Sequence, residues 1–213
     1  MKITSRIALG SFLTLLFLAQ GVSTQGGKRS PPYWHFESDA PTTAIATEDL
    51  NGDSLPEIIF GTADGQLIVL ENDGDLAWDF QLDGPISAIV HIPETGKQTA
   101  SLVVASTDGA VWNLNQDGLL RWRFSALGGS QIATFGSFLM PALAVGDVDG
   151  DGLNEVAISS SDGLVYLVDS EGQQRWSYEI GRSLVSVSLV DLDGDGLGEI
   201  VPGPLRGGDF VAI

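Results

Sequence analysis

Past its first two dozen residues the chain is a succession of short apolar runs broken by turn pairs. The run Glu57-Ile58-Ile59-Phe60-Gly61 is followed by Asp64-Gly65, then Gln66-Leu67-Ile68-Val69-Leu70, then Asp73-Gly74. Asp-Gly between apolar runs predicts a hairpin, because both residues accept the positive φ of a tight turn. No later window sustains a 3.6-residue period, so the pattern predicts strands and almost no helix.

The runs repeat at a spacing of 44 residues. Ala44-Ile45 matches Ala88-Ile89, Asp64-Gly65 matches Asp108-Gly109, and Trp78-Asp79-Phe80 matches Trp122-Arg123-Phe124. The register slips by ten residues to Asp162-Gly163 and Trp176-Ser177-Tyr178, since the glycine-rich, apolar stretch 125–141 has no counterpart elsewhere. Four antiparallel strands per repeat of this length describe a β-propeller blade. The expected all-β layout is a lone last-strand segment at 32–37, blade 1 at 42–81, blade 2 at 86–124, an insertion at 125–141, blade 3 at 142–179 and a partial blade 4 at 184–213. Two arrangements stay open: a four-bladed ring closed by the amino-terminal strand, and a fragment of a larger propeller.

Between the first and second strands of three repeats lies an acidic loop. It reads Asp49-Leu50-Asn51-Gly52-Asp53-Ser54-Leu55-Pro56-Glu57, Asp147-Val148-Asp149-Gly150-Asp151-Gly152-Leu153-Asn154-Glu155 and Asp191-Leu192-Asp193-Gly194-Asp195-Gly196-Leu197-Gly198-Glu199. Side-chain oxygens at positions 1, 3, 5 and 9 can converge on one hard cation, and glycine permits the left-handed turns that bring them round. Calcium is the expected ion, at three sites. Ser54 stands where the other copies have glycine, so the first loop is expected to bind more weakly. An EF-hand reading fails, because its position-12 carboxylate is replaced by Phe60, Ile158 and Pro202. The second repeat has Pro93-Glu94-Thr95-Gly96-Lys97-Gln98-Thr99-Ala100-Ser101 here, with Lys97 at a ligand position, and is expected to bind no calcium.

Charge and the amino terminus extend the picture. Lys2 and Arg6 precede the largely apolar run 7–19, too short to span a bilayer comfortably, and small and polar residues follow. Residues 1–24 read as a secretory signal peptide cleaved near Gly21 or Ser23, with a short uncleaved anchor as the alternative. The remaining 25–213 hold 28 acids and 8 bases, a net charge of −20 that disfavours nucleic acid and anionic membranes. A secreted, periplasmic or cell-surface location is expected, with no membrane insertion after cleavage. Without cysteine, such a chain must be held by packing and metal.

These repeats resemble the FG-GAP, or VCBS-like, family, the calcium-binding blades of integrin α-subunit propellers and of many secreted bacterial proteins. The resemblance rests on the Asp-x-Asp-x-Asp-Gly-x-x-Glu loops and on Phe60-Gly61. It implies ligands from side chains 1, 3, 5 and 9 together with the position-7 carbonyl of Leu55, Leu153 and Leu197. A second resemblance overlaps it. Asp162-Gly163-Leu164-Val165-Tyr166-Leu167-Val168-Asp169 and Gln174-Arg175-Trp176-Ser177-Tyr178 look like the tryptophan-docking repeat of pyrroloquinoline-quinone-type propellers, which include non-enzymatic assembly lipoproteins.

The remaining candidates point away from catalysis. Trp34, Trp78, Trp122 and Trp176 recur at one point of each repeat, which suits packing between blades better than a sugar platform. His35 and His91 lack a second histidine at metal spacing, and no hydrolase, zincin or phosphate-loop motif is present. Arg121, Arg123, Arg175, Arg182 and Arg206 are scattered rather than clustered. Alternating strand direction puts the acidic loops on one face and the insertion, with Phe135, Phe138, Leu139 and Met140, on the other. A protein or glycan ligand is expected on that second face. The expected function is an adhesion or binding module with structural calcium. The alternatives are part of a polysaccharide lyase and an envelope assembly scaffold.

Overall fold

The computed structural model describes residues 33–126, 142–204 and 211–213; residues 1–32, where a signal peptide is expected, 127–141 and 205–210 lie outside them. The described residues contain strands and no helix, and so no helix long and apolar enough to cross a membrane. Blade 1 comprises β1 (Thr42–Glu48), β2 (Glu57–Thr62), β3 (Gln66–Leu70) and β4 (Leu76–Gln81). Blade 2 comprises β5 (Ile86–Ile92), β6 (Ser101–Ser106), β7 (Ala110–Asn115) and β8 (Leu120–Ser125). Blade 3 comprises β9 (Ala142–Gly146), β10 (Glu155–Ser159), β11 (Leu164–Val168) and β12 (Gln174–Glu179). Each is an antiparallel sheet in chain order.

The fourth blade pairs β13 (Leu184–Val190) with β14 (Glu199–Pro204). Ile213 extends it, exchanging backbone hydrogen bonds of 2.9 and 3.0 Å with Ile200. That pairing matches Ile58 with Leu70 and Val156 with Val168, so Ile213 stands where the third strand of a blade belongs. The innermost strands β1, β5, β9 and β13 pack successively about the centre. The fold is a β-propeller, and among the described residues its four sheets form an open arc rather than a closed ring.

Alternation explains the cores. Both faces of a middle strand are covered by neighbouring blades, so β6 and β10 are buried at every position, as an uninterrupted apolar run allows. The outermost strands β4 and β12 are much more exposed. One core joins Ile59, Leu67 and Val69 to Leu102, Val104 and Leu114; the next joins Val103, Ala105 and Val111 to Val156, Ile158 and Tyr166.

The repeated tryptophans join the blades, as their fixed place in the repeat predicts. Trp34 Nε1 donates to the carbonyl of Asn72 at 3.1 Å, Trp78 to that of Gln116 at 2.8 Å and Trp122 to that of Ser170 at 3.1 Å. Each ring lies on the glycine two residues past its acceptor. A Cβ added at Gly74, Gly118 or Gly172 would stand 2.8, 2.7 or 2.6 Å from the indole. These glycines also have positive φ, so the turn requires them twice over. The phenylalanine two residues along adds an edge-on ring contact in each case: Phe36 with Phe60, Phe80 with Trp112 and Phe124 with Tyr166.

Residues 33–37 therefore sit against blade 1 as a last strand sits against the following blade. They join no ladder, however, because no third strand lies beside them among the described residues. On the opposite face, Leu82, Ala126 and Ile180 donate their amides to the carbonyls of Gly65, Gly109 and Gly163, tying each blade exit to its own first hairpin.

Trp122 is the test of the interlock. Trp122→Ala should destabilise the protein by about 3–5 kcal/mol, through the lost aromatic volume. Trp122→Phe should cost less, keeping ring contact while leaving the Ser170 carbonyl without its donor, about 1–3 kcal/mol. Urea unfolding followed by tryptophan fluorescence and circular dichroism would show this, and equal losses would contradict it.

Candidate metal centre

The three acidic loops fold alike because each uses its own carboxylates to organise its backbone. The first aspartate accepts from the amides three and five residues on: Asp49 from Gly52 and Ser54, Asp147 from Gly150 and Gly152, Asp191 from Gly194 and Gly196. The third and fifth positions accept from amides two residues ahead, as Asn51 does from Asp53 and Asp53 from Leu55. The closing glutamate reaches back to the second residue: Glu57 to Leu50 at 2.7 Å, Glu155 to Val148 at 3.1 Å and Glu199 to Leu192 at 2.7 Å. The amides of such turns point at carboxylates, and both oxygens of each first aspartate accept from them.

Positions 1, 3 and 9 converge. Ligand oxygens of Asp147, Asp149 and Glu155 lie within 4.8 Å of one another, as do those of Asp191, Asp193 and Glu199. Asp151 and Asp195, expected ligands at position 5, are outside these clusters and accept from the Leu153 and Leu197 amides at 2.7 and 2.8 Å. In the first loop the position-3 residue is Asn51, whose amide donates to Glu57 at 3.1 Å. The amide thus satisfies a carboxylate that in the other loops faces a third acid.

Burial sharpens the electrostatics. Glu57 and Glu155 are each about 2% exposed. Burial pushes the Glu155 carboxyl above its ordinary range; the Val148 amide opposes this, while Asp149, Asp151 and Asp147 add to it. Burial likewise raises Glu57, opposed by the Leu50 amide and reinforced by Glu71 and Asp53. Asp147 departs the other way: desolvation would raise it, but the amides of Gly152, Gly150, Asp149 and Asp151 hold it below its usual value. All-oxygen donors and an excess of negative charge are the chemistry a hard divalent cation requires.

The loops share a face with the turns between third and fourth strands, as alternating strand direction predicts. A cavity of about 350 Å³ there is lined by Leu50, Asn51 and Glu57 of the first loop, Glu71, Ala77 and Trp78 of blade 1, and Gln116 and Asp117 of blade 2.

Three contacts at the blade 3 loop were not legible in the sequence. Lys97 of the second repeat, which occupies a ligand position by alignment, extends to the neighbouring loop and donates its ammonium to the Asp151 carbonyl. Gln98, buried beside it, accepts from the Asn154 amide at 2.8 Å and its side chain at 3.1 Å. Arg175 pairs with Asp149 at 3.2 Å. The ligand-free loop of blade 2 therefore buttresses the acidic loop of blade 3. His91 faces Glu48 at 3.3 Å, and Arg123 lies over the Trp112 ring and pairs with Asp83; neither belongs to an acidic loop.

A family model described as outer membrane protein assembly factor BamB matches residues 33–212. Among solved structures, BBS1N in complex with ARL6DN is similar at 15% identity and a TM-score of 0.62, over 83% of this chain and 54% of that one. BamB from Moraxella catarrhalis is similar at 16% identity and a TM-score of 0.56, over 85% and 49%. Sqt1 from Saccharomyces cerevisiae is similar at 13% identity and a TM-score of 0.64, over 81% and 46%. At such identities the likeness is one of fold, and the chain spans about half the length of these structures. A search of curated proteins finds no match.

Ser54 is the one non-glycine residue with positive φ among the described residues, at 71°, in the place of Gly152 and Gly196. Ser54→Gly should relieve about 1 kcal/mol of backbone strain, partly offset by the greater freedom of glycine in the unfolded chain. Thermal unfolding should show a midpoint raised by a few degrees at most, whereas a lowered midpoint would mean the serine side chain contributes more than its backbone costs.

Proposed function

The chain belongs to the family of outer membrane protein assembly factor BamB, and from that premise we propose that it is a secreted or periplasmic propeller that binds protein partners as an assembly scaffold. The family match over residues 33–212 is the observation that carries this reading. The fold suits the task. Interlocked blades make a rigid support, and hairpins and blade connections at its two faces supply variable contact surface. Among structural neighbours, BBS1N is bound to a protein, ARL6DN.

Calcium enters this reading as a structural ion. The residues that would hold it are Asp147, Asp149 and Glu155, and Asp191, Asp193 and Glu199, whose oxygens converge. Asp49, Asn51 and Glu57 would do so in the first loop, with Asp53, Asp151 and Asp195 drawn in if their bonds to backbone amides rearrange. When bound, the ion would offset carboxylate repulsion and clamp the first two strands of a blade. With calcium on that face, partner binding is assigned to the other, where the hairpins at Asp64-Gly65, Asp108-Gly109 and Asp162-Gly163 lie. The apolar residues Phe135, Phe138, Leu139 and Met140 expected there fall outside the described residues.

Titration calorimetry with calcium should find three sites, with dissociation constants on the order of 0.1–1 mM as in many extracellular modules. Asp147→Ala and Asp191→Ala should each remove one, and an unchanged count in both would refute the ligand assignment. At a calcium concentration about a hundredfold above the dissociation constant, each occupied site should add about 2.7 kcal/mol to stability.

The scaffold reading is tested by surface binding of purified outer membrane β-barrel proteins to the immobilised chain, beside a glycan array, with and without calcium. Saturable protein binding supports a scaffold. Glycan binding alone would favour an adhesion module, and release of unsaturated ends from any bound polymer would replace both with a lyase.

A further inference from the structure

The residue just before the tryptophan of each outermost strand is Ala77 in blade 1, Arg121 in blade 2 and Arg175 in blade 3. Strand register makes these one position: Trp78 opposes Val69 as Trp122 opposes Asn113 and Trp176 opposes Leu167, each beside an irregularity in the pairing. Both arginines turn to the loop between the first two strands of their own blade. Arg121 donates to Thr99 Oγ1 at 3.2 Å, and Arg175 pairs with Asp149 at 3.2 Å. A guanidinium in this place bridges the outermost strand and the loop.

Blade 1 has alanine there, and a cavity opens beside it. Ala77 lines the cavity of about 350 Å³, and so does Asn51, which aligns with Asp149, the partner of Arg175. The cavity therefore lies where blade 3 keeps its own arginine. Glu57 and Glu71 of blade 1 and Asp117 of blade 2 line it, and no lysine or arginine does. Glu57 is about 2% exposed, and burial pushes its carboxyl up, with Glu71 adding to the push. Trp78 forms another part of the wall, its indole fixed by the 2.8 Å bond to the Gln116 carbonyl. An aromatic ring beside carboxylates suits a flat cation, because a guanidinium pairs with the acids through its fork of donors and stacks on the ring. The chain already makes such a stack elsewhere, with Arg123 at 4.8 Å from the centre of the Trp112 ring. The volume is at the small end of ligand pockets, roughly 300–1,000 Å³, which suits one side chain better than a large ligand.

We propose that this cavity binds the arginine side chain of a partner protein, which takes in blade 1 the place that Arg121 and Arg175 take in blades 2 and 3. Glu57, Glu71 and Asp117 hold the guanidinium, and Trp78 lies against it. The excess of acids over bases along the chain draws a basic segment towards it. The site is on the face of the acidic loops, apart from the partner surface assigned above. It rests on neither the calcium nor the scaffold reading, although calcium in the first loop would draw on the same Glu57.

The test is a titration of acetyl-Gly-Arg-Gly-amide, in the presence of a chelator, into the isotope-labelled chain followed by NMR. The Trp78 indole and the amides of Gln116, Asp117 and Gly118 should shift saturably, with a dissociation constant on the order of 1 mM. The same peptide with citrulline, the neutral isostere, should bind more than about tenfold more weakly. Ala77→Arg supplies the guanidinium from the chain itself and should weaken the arginine peptide more than about tenfold. Ala77 is exposed, so circular dichroism should show that variant folded. Glu71→Gln, which removes one acid without filling the cavity, should weaken the peptide about threefold or more. Absence of a saturable shift, a citrulline or lysine peptide that binds as tightly, or undiminished binding to Ala77→Arg would overturn the proposal.

Discussion

A four-stranded antiparallel sheet with apolar residues on both faces cannot shelter itself, and everything else in this protein follows from how that is solved. Each blade presents Ile59-type residues to the next blade and Phe60-type residues to the previous one, so burial is complete only where a neighbour stands on each side. The tryptophan that reaches across to the next blade's turn fixes the distance and angle at which that neighbour stands. Its indole covers a glycine that no other residue could replace without displacing the ring, and its nitrogen satisfies a turn carbonyl that the sheet leaves free.

The acidic loops are subordinate to that arrangement. They join first strand to second on the face where tryptophans and turns also meet, and their backbones are organised by their own carboxylates. The cost is a buried glutamate in each of the first and third blades, held above its ordinary titration range by burial and by neighbouring acids. A cation would reverse that cost, while Lys97 and Arg175 already bring two protein-borne positive charges to the blade 3 loop. The second repeat lacks the acidic loop, and its Lys97 and Gln98 instead hold the loop of its neighbour.

Resemblance to calcium-binding FG-GAP blades and resemblance to tryptophan-docking propeller repeats rest on different residues of the same unit. The matched family corresponds to the second, and the interlock it implies is present at each of the first three blades. The first rests on nine-residue loops that are local in the chain, and such a loop can be carried by many scaffolds. The fold accordingly rests on packing, whereas the proposed ion site rests on donor chemistry alone.

By itself the sequence determined whatever repeats at short range. Strand positions, the Asp-Gly hairpins, the role of the tryptophans and the odd backbone at Ser54 were all legible, because a period of two residues, a turn requirement or a 44-residue spacing writes them into adjacent positions. Tertiary structure decided the rest. Lys97 meets a carbonyl 54 residues away, and residues 33–37 find a docking turn but no ladder. Ile45, identical in pattern to the partly buried Ile89, is left exposed. Whether a blade position is covered depends on how far each interface rotates its neighbour, and that rotation sums small packing terms across whole sheets that no local pattern encodes. Four repeats could be counted along the chain, but only the packed blades decide how the described residues of one sheet cover those of the next.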